Sequence, residues 1–235
     1  MSGDDPDPHY FRATKDQRRA WEAEYASPHP VWRGPGDLEA GLPEGGTLLE
    51  VGCGNGKTLA PLAARYRLVA GIDFSRNALR SCAHLEAAMP ELRLVQADMT
   101  ELPFPEGLFN LVLCYHVLDH VLEAARRSAA REIVRMTRPA GTISFRGFAA
   151  EDLRSRKGVE VEARTYARGR GLLYHYFDEA EVEGLFPGTR PMAVERRSRA
   201  KRFQGKQVER VEWAASYLKA EANNNHTPSS IEERR

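Results

Sequence analysis

The sequence predicts an α/β protein: a doubly wound, mostly parallel sheet with helices on both faces. Three observations predict it. From Thr47 onward, apolar runs of about five residues alternate with longer helical stretches. Alternation at this spacing marks strand–helix–strand crossovers, which leave parallel strands buried between helices. The first apolar run ends in Gly52, Gly54 and Gly56, at the carboxyl end of a strand, where such sheets bind ligands. Finally, 235 residues, 42% of them hydrophobic, suffice for one large domain with appendages.

The elements follow in order. Residues 1–13, polar and rich in Asp and Pro, read as a loose arm. Residues 14–26 read as a helix with Thr14 as N-cap and Trp21 and Tyr25 four apart on one face. Pro28, Pro30, Gly34, Pro35 and Gly36 then break the chain into turns. Residues 47–51, 68–72, 92–96, 109–113 and 142–145 read as strands, and 57–66, 75–89 and 121–136 as the helices between them. Pro139, Ala140 and Gly141 mark a turn before the fifth strand. The polar run from Asn223 to Ser230 reads as disordered.

Composition excludes several classes. A net charge of +1 rules out a polycation that coats nucleic acid, although the later part is more basic and clusters Arg196, Arg197, Arg199, Lys201 and Arg202. That cluster reads either as a solvated face or as a contact surface for an anionic partner such as RNA. No apolar run approaches the roughly 20 residues that span a bilayer. The acidic first residues lack the layout of a signal peptide. Cys53, Cys82 and Cys114 form no CxxC pair and read as reduced thiols, so a cytoplasmic protein without a zinc site is expected.

The glycine loop admits three readings. A phosphate-binding P-loop would end in Gly56-Lys57-Thr58, but its first glycine falls on Val51. A dinucleotide loop needs G-x-G-x-x-G, and here the third glycine comes one residue early. The third reading rests on Glu50-x-Gly52-Cys53-Gly54-x-Gly56, on Gly71-Ile72-Asp73-Phe74-Ser75 and on Gln96-Ala97-Asp98-Met99. It continues in the strand from Phe109 through Tyr115-His116 and in Glu132-Ile133-Val134-Arg135 running on to Pro139-Ala140-Gly141. In that order and spacing, these passages resemble the class I S-adenosylmethionine-dependent methyltransferases.

The resemblance implies a seven-stranded Rossmann-like fold, with the last two strands placed near 192–196 and 207–213 and the chain leaving the fold from Tyr217. It implies residues 1–40 as an arm and helical lid and 41–218 as the methyltransferase domain, with an insert at about 150–178 over the acceptor pocket. Residues 219–235 would form a disordered tail. S-adenosylmethionine would be the cofactor. Asp73 would accept hydrogen bonds from the ribose hydroxyls, and Asp98 would contact the adenine amino group. Met99 and Phe74 would flank the ring. Gly52 and Gly54 would approach the methionine part, and Glu50 would orient the loop through backbone N–H groups. Arg33 would pair with the ligand's carboxylate, with Trp32 covering it, and Tyr115 would add a further cofactor contact.

Tyr115 and His116, with Asp119 and His120 a turn later, are candidates for catalysis or acceptor positioning. His116 and His120 stand four apart, but Val117 replaces the glutamate that a hydrolytic zinc motif needs, so no metal is expected. The run Tyr174-His175-Tyr176-Phe177 resembles a passage of the tRNA wobble-uridine (carboxymethyluridine) methyltransferases, which adds His175 to the candidates. The expected acceptor is a metabolite or a protein side chain. The alternatives are a wobble-uridine-type base in tRNA and a non-catalytic cofactor-binding partner subunit.

Overall fold

The computed structural model describes residues 8–27, 38–203 and 206–221. Helix α1 (Pro8–Tyr25) precedes β1 (Thr47–Val51), β2 (Leu68–Asp73), α2 (Arg76–Ala88), β3 (Leu92–Gln96) and β4 (Phe109–Tyr115). After these come α3 (Glu123–Met136), β5 (Thr137–Phe148), β6 (Val159–Glu162), β7 (Thr165–Arg168) and β8 (Leu172–His175). The chain then forms α4 (Glu179–Glu183), β9 (Thr189–Phe203) and β10 (Lys206–Lys219).

Seven strands form one sheet in the order β3-β2-β1-β4-β5-β10-β9. The first five pair in parallel, and β10 runs antiparallel to both β5 and β9. This is the Rossmann-like arrangement. Side-chain alternation explains why both faces are covered. Leu49, Val51, Val112 and Cys114 pack on one side with Ala129 and Ile133 of α3. Leu48, Leu111 and Leu113 pack on the other with Leu59, Leu62 and Tyr66. A strand buried on both faces is mostly apolar, which is why β1 and β4 read as hydrophobic runs interrupted by Thr47, Glu50 and Asn110.

Four expectations change. Helix α1 starts at Pro8, inside the stretch expected to be a loose arm; proline suits the first helical turn, where its missing N–H costs nothing. The helix expected at 57–66 is instead a series of turns ending in one 3-10 turn, Ala63–Arg65. Pro61 sits in its middle, where a helix would need the absent N–H. The last two strands are far longer than their apolar cores, because β9 and β10 pair with each other from Thr189↔Lys219 to Phe203↔Lys206. The chain also does not leave the fold at Tyr217: that side chain is fully buried and its hydroxyl donates to the Val182 carbonyl at 2.6 Å. Of the tail expected at 219–235, Lys219 still belongs to β10, paired with Thr189, and residues 222–235 lie outside the described residues.

Between β5 and α4, strands β6, β7 and β8 form a separate antiparallel sheet. Helix α1 lies across α2 and β8. Glu22 accepts hydrogen bonds from the Arg76 and Asn77 N–H groups at 2.7 and 3.0 Å and from the Ser75 hydroxyl at 3.0 Å. A carboxylate here meets the positive end of α2, and these bonds hold its pKa below the usual range against the opposing effect of partial burial. Gln17 donates to the Gly171 carbonyl at 2.6 Å and accepts from the Leu173 N–H at 3.3 Å.

Candidate functional site

A cavity of about 470 Å³ opens at the carboxyl ends of β1, β2 and β4, with Gln17, Trp21 and Tyr25 of α1 on its wall. The order of strands reverses between β1 and β4, so the loops on either side diverge and leave a crevice.

The glycine loop forms one side. Gly52 has a φ of +71°, and a Cβ there would lie 2.4 Å from Val117 Cγ2; at Gly54 it would lie 2.4 Å from the Tyr25 hydroxyl. Larger residues would therefore close the floor of the cavity or push α1 away. Asp73 ends β2 and ties the loop to it, accepting from the Gly54 N–H at 3.0 Å and the Ser75 N–H at 2.8 Å. Burial raises its pKa to about 6 against the pull of those N–H groups. Glu50 does not orient the loop through backbone bonds, as expected from sequence; that work falls to Asp73. Glu50 is buried, bonds the Thr58 side chain, and keeps Oε2 without a hydrogen-bond partner. Burial lifts its pKa to about 8. Asp98 lines the same side and accepts from the Thr100 N–H and hydroxyl at 3.0 and 2.8 Å. Phe74 and Met99 line it as well.

This donor set fits S-adenosylmethionine. Three carboxyl groups, one with an orphaned buried oxygen, suit a ligand bearing a sulfonium, an ammonium and ribose hydroxyls.

The other side is built from β4, β5 and β10. Tyr115 bonds Ser144 at 2.9 Å through its hydroxyl, and Arg146 lies over its ring at 4.9 Å. Burial pushes the phenol well above its usual range. His116, at a φ of +52°, pairs with Asp119 at 3.0 Å through Nδ1 and with Glu212 at 3.1 Å through Nε2. Burial opposes its charge, but the two carboxylates prevail and raise its pKa. Asp119 is itself fully buried and also accepts from the Phe148 N–H at 2.9 Å. His120 bonds the Leu173 carbonyl through Nδ1 at 2.6 Å, and burial lowers its pKa to about 4, which keeps it neutral.

The structure thus brings Glu50, Gly52, Gly54, Asp73, Phe74, Asp98, Met99, Tyr115 and His116 around one cavity. His175 is not among the residues lining it. Buried to 1% exposure, His175 spends Nδ1 on Thr165 at 2.8 Å and Nε2 on Glu181 at 2.9 Å, so it braces β7, β8 and α4. Arg33 and Trp32 lie outside the described residues. Sequence reasoning missed Gln17, Arg146, Asp152, Arg154, Arg210 and Glu212, all on the cavity wall. The basic surplus of the later chain pointed to Arg154 and Arg210 alone; nothing in the sequence singled out the other four.

The sequence model of the family described as "Methyltransferase domain" matches residues 49–145, the stretch from β1 into β5. With the fold and the glycine loop, this match marks residues 49–145 as a class I S-adenosylmethionine-dependent methyltransferase domain. The chain is 29% identical over 181 residues to the tRNA N(3)-methylcytidine methyltransferase Mettl2 of Drosophila melanogaster, covering 70% of this chain and 56% of that protein. It is 33% identical over 116 residues to the tRNA (carboxymethyluridine(34)-5-O)-methyltransferase alkbh8 of Xenopus tropicalis, covering 48% of this chain but 17% of that one. Among solved structures, the 1,6-didemethyltoxoflavin-N1-methyltransferase of Burkholderia thailandensis superposes with a TM-score of 0.69 at 20% identity, covering 94% of each chain. The chain therefore spans little more than half the length of the first of these curated relatives, and the solved structure speaks for the fold. Among the described residues, no helix is long and apolar enough to cross a membrane.

Proposed function

We propose that the protein transfers a methyl group from S-adenosylmethionine to a heteroatom of a metabolite or a protein side chain, in the cavity beneath α1. The observation that carries this reading is the bond from the Gly54 N–H to Asp73, which joins the glycine loop to the end of β2 in the carboxyl-bearing half of the cavity. When bound, S-adenosylmethionine supplies a methyl group on a sulfonium, open to in-line attack by a nucleophile.

The chain's own residues bind, orient and exclude water. Asp73 retains lone pairs for the ribose hydroxyls beyond those used by Gly54 and Ser75. Phe74 and Met99, which line the cavity, would flank the adenine, and Asp98 would accept from its amino group. Gly52 and Gly54 let the backbone approach the methionine part without a Cβ in the way. Glu50 offers its unpaired oxygen to the ligand's positive end. Tyr115 stands between the two halves. His116 faces a carboxylate from each ring nitrogen, which favours its protonated form and suits a positioning residue better than a base. Helix α1 covers the site and keeps water from the reacting groups.

Calorimetric titration with S-adenosylhomocysteine, ATP and NAD tests the cofactor. Heat is expected from the first alone, and binding of ATP or NAD in its place ends the reading. Isotope-labelled methyl donor, incubated with metabolite, protein and tRNA pools, then identifies the acceptor; no labelled product in any pool counts against catalysis.

The second reading, a tRNA acceptor, is favoured by exposed Arg190, Arg196 and Arg199 on the edge strand β9, and by the names of the relatives. It expects tRNA affinity that falls steeply with salt. Filter binding that shows no salt-sensitive association rejects it.

A further inference from the structure

The wall of the cavity farthest in the sheet order from the glycine loop carries a guanidinium pair that the cofactor reading leaves without a task. Asp152, 3% exposed, holds two arginines at once. Arg154 Nε donates to Oδ1 at 2.9 Å, and Arg210 Nε donates to Oδ2 at 3.0 Å. The Arg154 and Val211 N–H groups complete its coordination at 3.0 and 2.9 Å. One negative charge thus stands between two positive ones, and both guanidiniums border the cavity with Arg199. Arg154 also lies over the Phe148 ring at 4.3 Å, on which His116 stacks at 4.6 Å.

A structural role alone does not account for this arrangement. Pinning the turn after β5 to β10 needs Asp152 and the Val211 N–H; the Ala149 N–H to Val211 carbonyl bond, at 3.1 Å, already helps. Neither guanidinium is required for that. Yet Arg154 Nη2 is buried with no hydrogen-bond partner among the described residues. A buried, charged donor left unmatched is costly, and native proteins rarely keep one without a ligand or water to meet it. Because Asp152 takes the Nε hydrogens, the outer Nη groups are the ones left to meet a planar or tetrahedral anion.

We propose that Arg154 and Arg210, oriented by Asp152, form a subsite for an anionic group of the methyl acceptor, a carboxylate or a phosphate. The proposal rests on the cavity being the methyl-transfer chamber. It assigns the β4–β5–β10 half to the acceptor as the β1–β3 half is assigned to the cofactor. A neutral acceptor of the same shape would leave the Nη donors unmatched and bind more weakly.

The test uses the full chain in low-salt buffer, saturated with S-adenosylhomocysteine, and three small probes: phenyl phosphate, benzoate and benzyl alcohol. Calorimetry or ligand-observed NMR reads their affinities. The expected result is that at least one anion binds about tenfold or more tighter than benzyl alcohol. The preferred anion then names the source as phosphate or carboxylate. Arg154→Gln and Arg210→Gln should each lose about tenfold of that preference, with S-adenosylhomocysteine affinity unchanged. Arg154→Lys should restore part of it. Arg127→Gln, which removes an exposed charge from α3, should change nothing. If S-adenosylhomocysteine binds but the anions show no advantage, or the arginine variants keep it, the subsite is overturned while the cofactor reading stands. If S-adenosylhomocysteine does not bind, both fall.

Discussion

Under β1, β2 and β3 the cavity presents Glu50, Asp73 and Asp98, whereas under β4, β5 and β10 it presents Arg146, His116, Arg154 and Arg210. The two halves share one sheet and one cavity, yet the first is richer in carboxyls and the second in cations. In the acidic half burial raises the pKa of two carboxyls, to about 6 for Asp73 and about 8 for Glu50. The basic half holds its cations by pairing: His116 between Asp119 and Glu212, Arg146 on Glu39, and Arg154 and Arg210 on Asp152. The difference teaches that the fold separates a site poised for a cation from one poised for an anion. Buried acids await a positive ligand, while the paired cations stay charged without one.

The strongest way to break this comparison is to fill the floor of the acidic half. Gly52→Ala would place a Cβ 2.4 Å from Val117 Cγ2 at a φ of +71°. It should abolish S-adenosylhomocysteine binding in calorimetry and lower the melting temperature, since the left-handed backbone alone costs about 1–2 kcal/mol. Asp73→Ala should weaken the same ligand by about 1–3 kcal/mol through lost hydrogen bonds, and unchanged affinity would contradict the ribose role.

Glu50 sharpens the comparison through pH. Its raised pKa leaves it largely protonated at neutral pH, and a positive ligand favours the ionised form. S-adenosylmethionine should therefore bind tighter as pH rises from about 6 to 8 and release a proton on binding. Calorimetry in buffers of different ionisation enthalpy measures that release, and Glu50→Gln should remove it.

The basic half should behave in the opposite sense. A histidine whose pKa is raised by folding contributes stability below its unfolded pKa of about 6.5 and loses it as pH climbs through the folded value. Thermal melts across that window should show a decline, and Glu212→Gln should flatten it. The effect is the smallest of the set, because Asp119 remains as a partner and burial still opposes the charge.

Most of the acidic half was legible in the sequence. Gly52, Asp73 and Asp98 each follow directly on an apolar strand, and short-range signals fix such positions. The role of Glu50 was less so, because its unpaired oxygen depends on what packs around Thr58. The basic half was hidden for a physical reason. His116 meets Glu212 across 96 residues and Asp152 meets Arg210 across 58, and both meetings require β10 to return antiparallel beside β5. Arginine-rich strands such as β9 also blur the alternation that marks a strand. His175 misled because a polar-aromatic run looks the same whether it lines a pocket or braces two strands. Pro61 breaks the stretch 57–66 although the apolar spacing around it is helical, because a missing N–H outweighs periodicity.

The clasp between α1 and the body of the protein carries a kinetic consequence. Glu22 holds the start of α2, Gln17 holds β8, and Tyr25 sits against Gly54, so α1 is fastened at three points beside the glycine loop. Were those attachments to open before the spent donor could leave, departure would be slower than the chemistry, and a burst in the first turnover would show it.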